Sequence, residues 1–237
     1  MVSSGSSGGS GRRAGTAAAH IVWDWNGTLF HDIDAVVAAN NAAFAEIGLP
    51  PITLEQYREL FCVPVRLFYQ RLMGRVPSEG EWAAMDGAFH RHYTQQRAAC
   101  ALTEGAGALL ADWQAAGRSQ SLLSMYGHEE LVPLVRGFGI ESRFVRVDGL
   151  RGPTGGSKAE HMVRHLAALG GTGGPPPRTV VIGDAVDDAV AARAAGARAV
   201  LYTGGSHSRE SLAAAGVPVV DSLAEAVALA EAAVTCD

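Results

Sequence analysis

Apolar and polar positions along the chain fall into three regimes. Residues 1–17, MVSSGSSGGSGRRAGTA, are Gly/Ser-rich and cannot bury enough apolar surface to offset their ordering entropy, so a flexible leader is expected there. The apolar run His20–Trp23 then stops at Asp24, as a buried parallel strand does when it delivers a carboxylate at its C-terminal tip. From about residue 33 to 100 the spacing is helical. Val36, Val37, Phe44 and Ile47 share a face that ends at Gly48 and Pro50-Pro51, and Thr53 and Gln56 have capping-box spacing. Val65, Phe68 and Leu72 make a second stripe, and Ser78 with Glu81 opens a helix carrying Trp82, Met85, Phe89 and Tyr93. An all-helical insertion over residues 33–100 is predicted.

Beyond it, helix and strand signals alternate. Ala106, Leu109, Leu110 and Trp113 form a stripe that closes at Gly117, and SQSLLS follows as a strand. FVRVD, RTVVIGD, AVLYT and VPVVD are further strand candidates, separated by helices that open at the capping boxes Ser157/Glu160 and Ser222/Glu225. This alternation predicts a doubly wound parallel sheet with helices on both faces, a Rossmann-like α/β core built from residues 18–32 and 101–237 around the inserted helices.

Composition narrows the function classes. Of 237 residues, 48% are hydrophobic and 18% charged, which is a globular mixture. The net charge of −5, with 19 Lys and Arg and no basic run beyond Arg12-Arg13, argues against a nucleic-acid partner. No run reaches the roughly 18 apolar residues of a membrane span, and a signal-peptide cleavage after GTAAAHIVW would cut into DWNGT. Cys62, Cys100 and Cys236 are scattered without a CxxC pair, which suits reduced thiols in a cytoplasmic protein. His161 and His165 have the i, i+4 spacing of a zinc pair, but Met162 stands where HExxH needs Glu, so a solvated helix face is expected.

Candidate chemistry gathers at four predicted strand ends: DWNGT at 24–28, LLS ending at Ser124, GSK ending at Lys158, and GDAVDD at 183–188. A carboxylate at a strand tip followed by Gly and Thr can approach a phosphoryl group closely, and Asp24 is the candidate nucleophile. The Thr28 hydroxyl can steady a carboxylate or a phosphoryl oxygen, and Ser124 could bind one or simply cap the next helix. Lys158 at a helix start opposes the local dipole unless an anion is present. The acids of GDAVDD offer the hard oxygens that Mg²⁺ prefers, although acids at a helix start also serve as caps. Trp25 is expected in packing, with the substrate pocket as its alternative place.

In order and spacing these four segments resemble the motifs of the haloacid dehalogenase superfamily, and the chain looks most like the phosphoglycolate-phosphatase-like group. The resemblance spans nearly everything after residue 20 and implies that the helices over 33–100 form a mobile cap above the site. It further implies a Mg²⁺-dependent phosphatase acting on a small phosphorylated metabolite through an aspartyl-phosphate. Asp24, the backbone carbonyl of Asn26 and Asp184 would then hold the ion, with Asp188, or alternatively Asp187, as the further acid. Lys158, Ser124 and Thr28 would bind the phosphoryl group. Met125 stands where the family often carries Asn.

Asn26 is the serious departure, since family phosphatases normally carry a second Asp there as general acid and base, a proton transfer that an amide cannot perform. Two other functions therefore stay open: a phosphoryl transferase or slow hydrolase with a persistent phosphoenzyme, and a non-catalytic phosphometabolite-binding protein. No pattern in the chain names the substrate or the oligomeric state.

Overall fold

The structure is a computed structural model that describes residues 19–152, 156–170 and 178–235. The predicted leader and Cys236 lie outside the described residues. Strand β1 (His20–Trp23) is the geometric centre, since Ile21, Val22 and Trp23 have no exposed surface at all. Alternate residues of a strand point to opposite faces, and β1 shows it. Ile21 and Trp23 enter one apolar cluster with Leu110, Trp113, Leu131 and Val135, whereas Val22 enters another with Met162, Leu166, Ala189 and Ala192. A strand buried on both faces needs helices on both, which is the doubly wound arrangement.

The chain leaves β1 through β2 (Phe30–His31) into α1 (Ile33–Glu46), α2 (Leu54–Leu60), α3 (Val65–Met73) and α4 (Glu79–Gln96), then returns by β3 (Ala101–Leu102). The short strands β2 and β3 pair antiparallel, Phe30 with Leu102 and His31 with Ala101, and so tie together the two crossings between core and helices. The helices have their own core, in which Ile33, Phe44, Tyr57, Phe68, Tyr69 and Met85 are buried. Both capping boxes form here: Thr53 accepts from Gln56 N–H and Ser78 from Glu81 N–H, with the return bonds in place.

The remaining elements are α5 (Ala106–Ala115), β4 (Ser119–Gly127), α6 (His128–Gly137), β5 (Val147–Leu150), α7 (Lys158–Gly170), β6 (Thr179–Gly183), α8 (Val186–Ala194), β7 (Arg198–Tyr202), α9 (Arg209–Ala213), β8 (Val219–Val220) and α10 (Leu223–Thr235). The sheet runs β5-β4-β1-β6-β7-β8, every pair parallel. Strand order reverses at β1, with β4 on one side and β6 on the other, so the C-terminal tips of β1 and β6 border the crevice where α/β sheets bind ligands. Among the described residues, no helix is long and apolar enough to cross a membrane.

Three local expectations are corrected. FVRVD is displaced: β5 starts at Val147 and runs on to Leu150, while Val145 is 62% exposed. VPVVD keeps only Val219–Val220, because Pro218 has no N–H for the ladder. His165 is not on a solvated face. It is buried against the sheet, 2.7 Å from Asp148 Oδ2 through Nδ1 and 2.7 Å from Ser121 Oγ through Nε2.

Ser121 also bonds His20 Nε2 at 2.8 Å, and Ser119 bonds His20 Nδ1 at 2.8 Å, so the first residue of β1 is a buried imidazole between two hydroxyls. Burial, with His165 beside it, lowers the His20 pKa from 6.5 to about 4. The unfolded chain therefore binds a proton that the folded one rejects. The His20 contribution to stability is complete above pH 6.5 and is lost as pH drops from 6.5 towards 4, by about 3 kcal/mol in total. Urea unfolding across that window should show the wild type losing about this much stability relative to His20→Gln as pH falls. Equal slopes would contradict the assignment.

Candidate active site

The site grows from the end of β1. Asp24 N–H donates to Ile182 O at 2.9 Å, continuing the β1–β6 ladder by one bond and holding the Asp24 carboxylate at the rim, 6% exposed. The chain then turns through Gly27, whose φ of +69° favours glycine and whose position leaves no room for a side chain: a Cβ there would lie 2.6 Å from Asp184 Oδ2. Thr28, fully buried, directs its hydroxyl to Asp184 Oδ1 at 3.4 Å.

Strand β6 supplies the opposite wall. Asp184 follows its last residue, and Asp188 lies in the first turn of α8, where Oδ2 accepts from Ala185 N–H at 3.1 Å. Lys158, the first residue of α7, reaches across to both strands. Its ammonium donates to Asp24 Oδ1 and stands 2.6 Å from Asp188 Oδ1, an ion contact outside hydrogen-bond geometry. Asp24, Asp184 and Asp188, all buried, each offer a carboxylate oxygen within 4.8 Å of the others.

Three buried carboxylates around one ammonium leave excess negative charge. Burial above all, then Asp188 and Asp184, raises the Asp24 pKa to about 8 against the pull of Lys158, and burial with Asp188 raises Asp184 to about 6. Burial opposes the Lys158 charge, but Asp188 and Asp24 outweigh it and hold the ammonium protonated. A hard divalent cation would balance this set of oxygens, and Mg²⁺ with one or two carboxylates is the usual arrangement. The residues present fit such an ion.

Of the residues singled out in the sequence, Asp24, Lys158, Asp184 and Asp188 converge, with Thr28 against Asp184. Asp187 is outside the cluster of three. Ser124 is not at a strand end, since β4 continues to Gly127; it sits where the β4–β5 register shifts, and its hydroxyl accepts from Tyr126 N–H at 3.0 Å. Trp25 lines no pocket: it has no exposed surface and stacks on Phe30 at 5.1 Å, inside the core.

Asn26 is held by two residues that sequence patterns did not single out for chemistry. Its amide nitrogen donates to Asp32 Oδ2 at 2.7 Å and to the Tyr93 hydroxyl at 2.9 Å. Asp32 is 1% exposed and also accepts from Gly27 N–H at 2.9 Å and from Tyr93 at 2.5 Å. Burial pushes the Asp32 pKa up, although all three donors oppose it. Both amide hydrogens of Asn26 are thus committed to this pair.

Comparison with known proteins bears on the fold and the enzyme class. The HAD-hydrolase-like family model matches residues 155–226, which include Lys158, Asp184 and Asp188. A phosphoglycolate phosphatase of Cereibacter sphaeroides is 28% identical over 203 residues, covering 78% of this chain and 85% of that protein. A crystal structure of a phosphoglycolate phosphatase assigned by similarity, from Lactobacillus delbrueckii subsp. bulgaricus, superposes with a TM-score of 0.76 at 20% identity, covering 93% of this chain and all of the other. In sequence and fold the chain is similar to haloacid dehalogenase-like hydrolases. Another structure of this fold, Protein Tyrosine Kinase A of Mycobacterium tuberculosis, has a TM-score of 0.72 at 25% identity, over 91% of this chain and 99% of that one. The enzyme class expected from the sequence, a phosphoric monoester hydrolase, agrees with the relatives named phosphoglycolate phosphatase.

Lys158→Ala should expose how far the site depends on one cation. It strands buried carboxylates without their partner, a change that typically costs about 3–5 kcal/mol. Urea unfolding of the metal-free variant at neutral pH should show a loss of that order. Stability equal to wild type would mean that the carboxylates do not rely on Lys158.

Proposed function

We propose that the protein is a Mg²⁺-dependent phosphatase that hydrolyses a small phosphorylated metabolite through an aspartyl-phosphate on Asp24. The observation that carries this reading is the Asp24 carboxylate at the tip of β1, bonded to the Lys158 ammonium within one cluster with Asp184 and Asp188. An oxygen of Asp24 attacks phosphorus as the P–O bond to the leaving group breaks, and the phosphoryl group remains on Asp24 until water displaces it. Lys158 balances the charge of the transferring group, and Thr28 and Ser124 offer hydroxyls to its oxygens. Asp24, the backbone carbonyl of Asn26 and Asp184, with Asp188 directly or through water, would hold Mg²⁺. When bound, the ion neutralises phosphoryl charge and keeps the acids ionised.

The domain reading belongs to the same proposal: residues 18–32 and 101–237 form the catalytic core, and residues 33–100 a cap that opens for substrate and closes to exclude water. A cytoplasmic location suits the free thiols of Cys62 and Cys100. Phosphoglycolate, for which the relatives are named, is the first substrate to assay.

A second reading, phosphoryl transfer to an acceptor other than water, is favoured by Asn26. Its amide is bonded to Asp32 and Tyr93 and can neither protonate a leaving oxygen nor activate water. The likeness to a chain named a tyrosine kinase points the same way.

Steady-state assays of alkyl and aryl phosphates with Mg²⁺ distinguish these readings. Asp24→Asn should abolish turnover of both while leaving the circular-dichroism spectrum unchanged; residual turnover near wild type would remove Asp24 from the mechanism. Asn26→Asp places a carboxylate 2.7 Å from Asp32 Oδ2, where the two acids share a proton and one stays protonated to higher pH. It should raise alkyl-phosphate turnover by about 10²-fold, with little gain on aryl phosphates, whose leaving groups need no proton. Brisk alkyl-phosphate hydrolysis by the wild-type protein, with no gain in the variant, would show that another group supplies the proton.

A further inference from the structure

The helical unit meets the catalytic loops away from Asn26 as well, through two consecutive residues of α2. Arg58 donates from Nε to Gly205 O at 2.9 Å and from a terminal nitrogen to Gly204 O at 3.1 Å, and its own carbonyl accepts from Ser208 N–H at 3.2 Å. The Tyr57 hydroxyl, buried beside it, faces the Ser206 side chain. Just after α2, the Phe61 ring stands edge-on to His207 with centroids 5.3 Å apart. All these contacts fall on the loop that follows β7.

That loop is also what holds Asp184. Ser206 N–H donates to Asp184 Oδ2 at 2.7 Å, and the neighbouring backbone is pressed against the same carboxylate: a Cβ on Gly205 would lie 2.0 Å from Asp184 Oδ2. Two successive glycines give the segment little conformational preference of its own. A planar guanidinium on two consecutive carbonyls supplies the missing restraint, with a geometry that an ammonium does not reproduce.

We propose that Tyr57 and Arg58 are positioning residues: seated on the 203–208 loop, they fix Ser206 and through it the Asp184 carboxylate, so that docking of the helical unit and divalent-cation binding at Asp184 are coupled. The inference rests on the metal reading given above and adds to it a route by which the cap controls the ion. Linkage makes the coupling reciprocal. The cation binds more tightly when α2 is seated, and the cation in turn favours the seated arrangement. Arg58, engaged by two carbonyls, then serves the loop and not the substrate.

Hydrogen exchange and calorimetric Mg²⁺ titration, neither of which needs turnover, test this on the full chain. Arg58→Ala removes the clamp and Tyr57→Phe removes one hydroxyl while keeping the ring. Arg66→Ala, which breaks an exposed pair with Glu79 on α4, is the control. Arg58→Ala should speed exchange over residues 203–208 in metal-free protein and weaken Mg²⁺ binding by about five- to fiftyfold. Tyr57→Phe should do the same to a smaller degree, and Arg66→Ala should change neither. In wild type, Mg²⁺ should slow exchange over both 203–208 and 54–61, a response that Arg58→Ala should lose. Wild-type Mg²⁺ binding left unchanged by both α2 variants overturns the coupling alone. A wild-type protein that binds no Mg²⁺ overturns this inference together with the metal reading.

Discussion

Lys158 is the contact on which the site depends. Asp24 follows β1 and Asp188 lies in the first turn of α8, both are buried, and a buried carboxylate without a partner takes up a proton or loses its place in the fold. One ammonium at the start of α7 answers both. The position is unfavourable for a cation in isolation, because a helix N-terminus carries partial positive charge. It is tolerated here because the anions outnumber it, and the same excess of anions leaves the cluster suited to a divalent ion.

Topology explains why these groups can meet. Strand β1 is covered on both faces, so its apolar residues have nowhere to go but the core, and the first polar residue after them emerges at the rim. The reversal of strand order beside β1 opens the crevice, and β6 ends level with it, placing Asp184 opposite Asp24. The glycines there are small for lack of space: Gly183, Gly27 and Gly205 each face a site carboxylate where a Cβ would collide. The site is therefore built by close backbone approach as much as by its charged side chains.

Much of this was legible in the chain because the signals are local. The stop of an apolar run at Asp24, the capping boxes at Thr53 and Ser78, and the alternation after residue 100 are each dictated by neighbours within a few positions, and each is found in the structure. What was missed depends on distant partners. Tyr93 meets Asp32 across 61 positions and Arg58 meets Gly205 across 147, and neither pairing leaves a period or a motif. His165 looked solvent-facing by spacing alone, but α7 turns that side onto Ser121 and Asp148. Trp25, next to Asp24 in sequence, points into the core because the turn after β1 stacks it on Phe30.

Asn26 remains the residue that separates hydrolysis from transfer, yet both readings require the same first step, the attack of Asp24 on phosphorus. The direct measurement is chemical trapping of that intermediate. The protein is mixed with Mg²⁺ and a phosphorylated substrate, quenched in acid and reduced with borohydride, which converts an aspartyl-phosphate to homoserine; peptide mass spectrometry then locates the change. The account predicts homoserine at position 24, absent without substrate and absent in Asp24→Asn. Turnover with unmodified Asp24, or a phosphoryl group trapped on another residue, would contradict it.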